Sequence, residues 1–268
     1  MDIGHREEGV PSWVELATPD AETSIGFYSQ LFGWTHEGFG DDLPGARTCL
    51  LLGRPVAVIK PAAGIERGAW TMHIDVADAD KTAEKVLAAG GRIVTPAYDL
   101  GAAGRTAVFA DHSGTVFAVW QSDRHAGDGD GDRDGDGGGG DAGVDAADVP
   151  GAFHSGELIT DDVEASAAFY GSLFGWTLSA PHGPLNRREW RLDGRPIAEL
   201  LPRPAAMPAE IPPYWDVYFT VADAAATTEA VTRLGGTTLM PATPVGHGTI
   251  AVFADPTGAV FTVLAPAR

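Results

Sequence analysis

An internal repeat constrains the fold of this chain more than any other feature of its sequence. Residues 27–35 read FYSQLFGWT and residues 169–177 read FYGSLFGWT, with seven of nine positions identical. Further pairs follow in the same order: WTMHIDVADAD matches WDVYFTVADAA, and TAVFADHSGTVFAVW matches IAVFADPTGAVFTVL. Matching segments in one order and at nearly constant spacing indicate a duplicated unit. We therefore predict two similar domains rather than one large one.

The segment between the repeats has a composition of its own. Residues 122–150 are rich in Gly and Asp and almost free of apolar side chains, so burial cannot offset the entropy of ordering them. We predict a first domain at residues 1–121, a flexible linker at 122–150 and a second domain at 151–268. As an alternative, residues 130–141 space their acidic side chains like a calcium-binding loop, although position 12 is Asp141 rather than Glu and no helical pattern flanks the loop.

Charge and cysteine content limit the environment and the partners. The chain of 268 residues has a formal net charge of −19, which argues against nucleic acid or an anionic membrane as a partner. Its single cysteine, Cys49, excludes a disulfide within the chain and suits a reducing compartment. No signal-like apolar segment and no run of 18 apolar residues occurs. We expect a cytoplasmic monomer or homodimer with no nucleic-acid or membrane partner.

Each half reads as the same order of elements twice. A strand at residues 13–17 precedes a helix, for which the sequence predicts Thr18 as N-cap, Pro19 at the first position and Gly33 as the end. Three short strands follow, and the order then restarts with a strand at residues 71–76. Along the first and fifth strands, one face is wholly apolar and the other mixes polar and aromatic residues. The mixed faces predict a concave, ligand-facing cup in each half.

This module order, with the FY..LFGW and FADxxGxxF patterns, resembles the vicinal oxygen chelate superfamily of glyoxalases, bleomycin-resistance proteins and extradiol dioxygenases. The similarity covers nearly the whole chain outside the N-terminal tail and the linker, and is greatest to the tandem-domain type common in actinobacteria. It implies an α+β fold of tandem glyoxalase-like domains, each made of two βαβββ modules that form a curved mixed-sheet cup with helices outside. Such a fold hosts several enzyme and binding activities, so function depends on the site.

The resemblance also implies three metal-ligand positions in each cup, on the first, fifth and eighth strands. These positions hold Trp13, Thr71 and Ala118 in the first half, and Ser155, Asp216 and Thr262 in the second. The first set offers no good ligand, and the second offers one carboxylate. We therefore predict no metal and no cofactor in either cup. The alternative is a register shift that recruits His73 or His154.

Two cup residues are candidates for catalysis. Glu15 could act as a general base, or exchange a proton with His73 on the adjacent strand. The alternatives are a structural carboxylate, since Glu157 occupies the same position in the second half, and an ordinary hydrogen-bonded histidine. The predicted ligand-binding residues are Trp13, Glu15, Thr71, His73, Asp75, Ala118, Trp120, Ser155, Glu157, Asp216, Tyr218 and Thr262.

Three functions agree with these observations. The favoured one is metal-independent binding of a small aromatic or apolar metabolite, in antibiotic self-resistance or polyketide tailoring, with Trp13 as the stacking residue. The second is an enzyme of the superfamily, either a cofactor-free acid–base catalyst or a lyase or isomerase with an atypical metal site. The third is a structural or protein-interaction role for one of the two cups.

Overall fold

In the computed structural model, which describes residues 7–40, 42–122 and 149–267, each half of the chain builds its own sheet. The first half contains β1 (Pro11–Thr18), α1 (Ala21–Phe32), β2 (Thr35–Gly38), β3 (Arg47–Leu51), β4 (Arg54–Pro61), β5 (Ala69–Asp75), α2 (Ala79–Ala88), β6 (Arg92–Asp99), a 3-10 turn (Gly101–Ala103), β7 (Gly104–Ala110) and β8 (Val116–Ser122). The second half contains β9 (Phe153–Thr160), α3 (Val163–Phe174), β10 (Thr177–Leu178), β11 (Arg188–Leu192), β12 (Arg195–Pro202), β13 (Tyr214–Thr220), α4 (Ala224–Arg233), β14 (Thr237–Val245), β15 (Gly248–Ala254) and β16 (Val260–Pro266).

The two sheets share one topology. The first has the strand order β2-β3-β4-β1-β5-β8-β7-β6, and the second has the equivalent order β10-β11-β12-β9-β13-β16-β15-β14. The modules of each half meet where β1 and β5, or β9 and β13, run antiparallel, while β1 and β4 run parallel. The predicted α+β fold of tandem βαβββ modules is confirmed. The domain boundaries stay a prediction, and the calcium-loop alternative falls at residues 130–141, outside the described residues.

The predicted start of the first helix is wrong by two residues. Asp20 is the N-cap of α1, because its carboxylate accepts a hydrogen bond from the backbone N–H of Thr23. The hydroxyl of Thr18 instead lies 3.1 Å from that of Ser24. Gly33 ends the helix as predicted, with a left-handed φ of 73°. Among the described residues, no helix has the length and apolar character needed to cross a membrane.

The repeated FY..LFGW segments hold the two halves together. On α1, the Tyr28 ring lies 5.5 Å from that of Phe261, and the Phe32 ring lies 5.0 Å from that of Phe219, both in the opposite half. In the same way, Tyr170 on α3 lies 5.6 Å from Phe117 of the first half. Each of these helices therefore packs against the opposite sheet, and a single apolar core spans both halves.

The tryptophans of the same repeat reach across the interface. Trp34 Nε1 donates to the carbonyl oxygen of Gly151 at 2.8 Å, and Trp176 Nε1 donates to that of Gly9 at 2.7 Å. Gly151 has a φ of 93°, and a Cβ there would lie 2.9 Å from the carbonyl oxygen of Phe32. Glycine is required at this close approach.

The tyrosines of the repeat each accept a buried indole N–H. Trp215 Nε1 donates to the Tyr170 hydroxyl at 2.9 Å, and Trp70 Nε1 donates to that of Tyr28 at the same distance. The Tyr170 hydroxyl in turn donates across the interface to Asp111 Oδ2 at 3.2 Å. Asp111 belongs to the FADxxG motif, and its other oxygen accepts two backbone N–H groups of its own turn. Both repeated motifs therefore serve the scaffold.

The two sheets meet back to back near the middle of the molecule. Gly156 on β9 faces Met72 on β5, and the Met72 sulfur leaves no room for a Cβ at this glycine. The strand neighbours of these residues, Glu157 and His73, point to the opposite faces. The concave faces of the two sheets therefore point away from the interface.

We expect Tyr170→Phe to lower the free energy of unfolding by about 1–3 kcal/mol, because it leaves Trp215 Nε1 and Asp111 Oδ2 buried without this partner. Urea denaturation measures the change. Tyr214→Phe is the matched control, since the Tyr214 hydroxyl makes no hydrogen bond to another described residue. An unchanged midpoint for Tyr170→Phe would contradict this role.

Candidate functional site

The concave face of the first sheet, here called cup 1, brings the predicted residues of the first half together. It consists of Trp13 and Glu15 on β1, Val58 and Lys60 on β4, Thr71 and His73 on β5, and Ala118 and Trp120 on β8. Trp13 pairs with His73 and Glu15 pairs with Thr71, while His73 lies beside Ala118. Asp75 ends β5 beside Trp120.

Aromatic and apolar side chains enclose cup 1. The Trp13 ring lies 5.0 Å from the His73 ring and 5.6 Å from the Trp120 ring. All three side chains are buried. An apolar cluster around the two tryptophans includes Ala46, Val58 and Leu100, with the partly buried Phe39, Leu43, Tyr98 and Ala103 packed against it. Side chains that precede β3 and side chains at the end of β6 and after it thus pack over the two tryptophans.

Three ring nitrogens in cup 1 are buried without a hydrogen-bond partner among the described residues: Trp13 Nε1, His73 Nδ1 and His73 Nε2. Burial, followed by the charge of Lys60, lowers the pKa of His73 to about 3. The ring is therefore neutral at physiological pH, with one N–H donor and one acceptor nitrogen. An unsatisfied buried polar group costs about 1–3 kcal/mol, so these neighbouring nitrogens are the candidates in cup 1 for hydrogen bonds to a ligand.

Glu15 has a partner that the sequence reasoning missed. Lys60 Nζ lies 2.6 Å from Glu15 Oε1. Burial alone would lower the pKa of Lys60, but the Glu15 carboxylate raises it above its ordinary value. The structure contains no Glu15–His73 hydrogen bond, so the catalytic roles of these two residues stay a prediction. Alternation along β4 places Lys60 on the same face as Val58, but only the pairing of β4 with β1 brings it to Glu15.

The concave face of the second sheet, here called cup 2, has a different chemistry. It consists of Ser155 and Glu157 on β9, Glu199 on β12, Asp216 and Tyr218 on β13, and Thr262 on β16, with Arg187 from the segment before β11. Glu157 pairs with both Asp216 and Glu199, and Tyr218 lies between Ser155 and Thr262. The predicted residues of the second half are thus also neighbours. Arg187 was missed because it lies outside any strand pattern.

Cup 2 is a network of carboxyl groups around one guanidinium. Tyr218 donates to Glu157 Oε2 at 2.7 Å, and Arg187 Nε lies 3.0 Å from Glu157 Oε1. Thr262 donates to Asp216 Oδ2 at 2.5 Å. Burial raises the pKa of Glu157 above its ordinary value. Burial also raises the pKa of Asp216 to about 7, although the Thr262 hydroxyl, the adjacent backbone N–H and Arg187 oppose this shift.

The side chains at the implied metal-ligand positions do not fit a divalent metal. Trp13, Thr71 and Ala118 offer an indole, a hydroxyl and a methyl group, which are not the nitrogen, sulfur or carboxylate ligands that such metals take. In cup 2 the only carboxylate of the set is Asp216. In the described parts of the chain, no three His, Cys, Asp or Glu side chains lie close enough to hold a metal ion. His154, named for a register shift, lies 3.4 Å from the Thr220 hydroxyl.

Sequence comparison finds full-length relatives. A putative glyoxylase, CFP32, from Mycobacterium bovis is 33% identical over 97% of this chain and 96% of its own length. The anthracycline biosynthesis protein DauV from a Streptomyces species, strain C5, is 30% identical over 96% of this chain and 93% of its own. Both similarities span the two halves.

Similarity to a solved structure and a match to a protein family give the same assignment. A Mn(II)-bound glyoxalase from Novosphingobium aromaticivorans superposes with a TM-score of 0.60 at 17% identity, covering 96% of this chain and 81% of that one, which shows a shared fold. Residues 11–119 and 152–263 each match the family described as the Glyoxalase/Bleomycin resistance protein/Dioxygenase superfamily. With two matched domains and relatives similar over their whole length, the chain belongs to this superfamily.

Proposed function

We propose that cup 1 binds a small aromatic metabolite without a metal ion, as a carrier or sequestering site. The observation that carries the proposal is the group of buried ring nitrogens on Trp13 and His73 that have no hydrogen-bond partner among the described residues. A ligand with an oxygen or nitrogen substituent would supply the missing donor and acceptor. The enclosing tryptophans would contact its apolar surface.

The charges in cup 1 favour an uncharged ligand. The carboxylate of Glu15 is already paired with Lys60, and His73 is neutral. A charged ligand would enter without a free counter-charge among these residues and would lose its hydration. The predicted preference for an aromatic or apolar molecule therefore agrees with the electrostatics of the cup.

The relatives support a role in secondary metabolism. DauV is named for anthracycline biosynthesis. A planar aromatic molecule with oxygen substituents would present the groups that Trp13 and His73 could contact. We extend the proposal to antibiotic self-resistance or the tailoring of a polyketide.

The name of one relative supports a second candidate function, an enzyme with His73 in contact with its substrate. The unpartnered imidazole could hydrogen-bond to a bound substrate, but a pKa of about 3 makes it a weak proton acceptor in the ligand-free protein. The CFP32 relative is named a putative glyoxylase. Loss of turnover in His73→Leu, with ligand binding retained, would favour this enzyme over the carrier.

We expect wild-type protein to bind 2-naphthol, and Trp13→Ala to weaken the affinity about tenfold, because the main aromatic contact and one N–H donor are lost. Titration calorimetry measures both affinities. Naphthalene, which lacks the hydroxyl, should bind wild type more weakly than 2-naphthol. That preference should be smaller in His73→Leu, because the substitution removes two of the three unpartnered ring nitrogens.

The surface variant Leu239→Ala is the matched control, because its side chain is 53% exposed. Binding should also survive exhaustive chelation of metal ions before the titration. Equal affinity of Trp13→Ala and wild type, or loss of binding on chelation, would contradict the proposal.

The buried neutral His73 makes stability depend on pH. The unfolded histidine has an ordinary pKa near 6.5, but the pKa in the folded state is about 3, so the unfolded state binds more protons between these values. Stability is therefore complete above pH 6.5 and falls at lower pH by up to about 1.4 kcal/mol per unit. Denaturant unfolding at pH 7 and pH 5 should show a larger loss for wild type than for His73→Leu. An equal loss would mean that His73 titrates normally.

A further inference from the structure

We propose that cup 2 binds the protonated primary amine of a small organic ligand, at Asp216 and independently of cup 1. Three features support this site: the excess of carboxyl groups over cations in cup 2, the buried Asp216 Oδ1, and the replacement of Asp216 by Thr71 at the same position of cup 1.

The charges of cup 2 are unbalanced. Glu157, Glu199 and Asp216 are three carboxyl groups, and Arg187 is the one cation that contacts them among the described residues. Arg187 is engaged with Glu157 at 3.0 Å and lies 3.8 Å from Glu199. In the described part of the chain, no lysine or arginine forms an ion pair with Asp216 itself.

Comparison of the two cups shows that Asp216 is a carboxyl group that cup 1 lacks at the same position. Asp216 occupies the position of Thr71 in cup 1, where the neighbouring Glu15 has its own cation in Lys60. Glu199 likewise occupies the position of Val58, so at these positions the second half adds two carboxyl groups without adding a second cation. A structural carboxyl group at this depth would be expected to have a matching donor for each oxygen.

Asp216 has one oxygen free for a ligand. Its side chain is 5% exposed, and its Oδ2 accepts the Thr262 hydroxyl, whereas Oδ1 has no hydrogen-bond partner among the described residues. The nearby Tyr218 hydroxyl is already committed as a donor to Glu157. A donor brought by a ligand would supply this missing partner.

Among the donors that a ligand could bring, an ammonium group matches the unpartnered Asp216 Oδ1 best. It carries three N–H donors and a compact positive charge, so it satisfies Oδ1 and offsets the surplus negative charge together. A divalent metal would need further carboxylate or imidazole ligands, and no group of three such side chains is present among the described residues.

The affinity for an amine should increase from pH 6 to pH 8. The charged and titratable groups that face Asp216 are Glu157 on β9, Arg187 before β11, Tyr214 and Tyr218 on β13, and Glu199 on β12. Burial raises the pKa of Asp216 above that of an ordinary carboxyl group, so its ionised fraction increases over this range. An amine that stays protonated throughout should therefore bind more tightly at pH 8 than at pH 6.

Titration calorimetry with benzylamine and benzyl alcohol tests the proposal, because the two probes differ mainly in charge. With both probes titrated into Trp13→Ala protein, in which cup 1 is disabled, we expect saturable binding of benzylamine at pH 8, no comparable binding of benzyl alcohol, and a loss of at least about tenfold when Asp216→Asn is added. Asp193→Asn is the matched control: it removes one exposed carboxylate of the same half and should bind like wild type. Asp216→Thr, which introduces the residue found at position 71, is a second variant should Asn be poorly tolerated.

Several results of these titrations would contradict the proposal. The proposal fails if neither benzylamine nor butylamine binds saturably at millimolar concentration, if benzyl alcohol binds Trp13→Ala protein as tightly as benzylamine does, or if Asp216→Asn leaves benzylamine binding unchanged. Competition by magnesium chloride at equal ionic strength would show a metal site instead. Trp13→Ala should leave benzylamine binding unchanged, and Asp216→Asn should leave 2-naphthol binding unchanged. The proposals for the two cups are therefore tested separately.

Discussion

The hydroxyl group of Tyr170 accepts an indole N–H from its own half and donates to Asp111 of the other half. Around it, the first helix of each half packs its aromatic residues against the sheet of the opposite half. This crossed packing occupies the apolar faces of both sheets and merges them into one core. Each half needs a Tyr, a Trp and a Gly at fixed spacing from the end of its first helix. This requirement explains why the FY..LFGW pattern occurs twice in the sequence.

Because the convex faces are committed to this shared core, only the concave faces are left to vary. The backbone of the two cups is equivalent, but their chemistry is not. Cup 1 has His73 where cup 2 has Tyr218, and Thr71 where cup 2 has Asp216. The first cup is aromatic and pairs Glu15 with Lys60, and the second is acidic, with three carboxyl groups and one guanidinium. We interpret the duplication as one scaffold that presents two chemically different concave faces.

Much of this was predictable from the sequence, for identifiable reasons. The duplication and the alternation of strands such as residues 71–76 predicted the modules and the concave faces. The N-cap was misplaced because Thr18 and Asp20 are both good capping residues, and only the geometry of the loop selects Asp20. Lys60 was missed because its approach to Glu15 depends on the pairing of non-consecutive strands. The crossing of the helices could not be predicted, since an amphipathic pattern shows that a face is buried but not which sheet covers it.

The central claim is that the halves unfold together because each buries the aromatic residues of the other. Cys49 tests it directly: it is buried in the first half, and burial raises the pKa of its thiol to about 12, so a thiol reagent reaches it only after opening. Its labelling can be compared with that of a second-half probe, Ala198→Cys in a Cys49→Ala background, since Ala198 is also buried. The crossed interface predicts that each thiol becomes reactive only on global unfolding of the protein that carries it. For each protein, the free energy of opening from thiol labelling should therefore equal the free energy of global unfolding. A half that opens at a clearly lower free energy while the other stays protected would contradict the account.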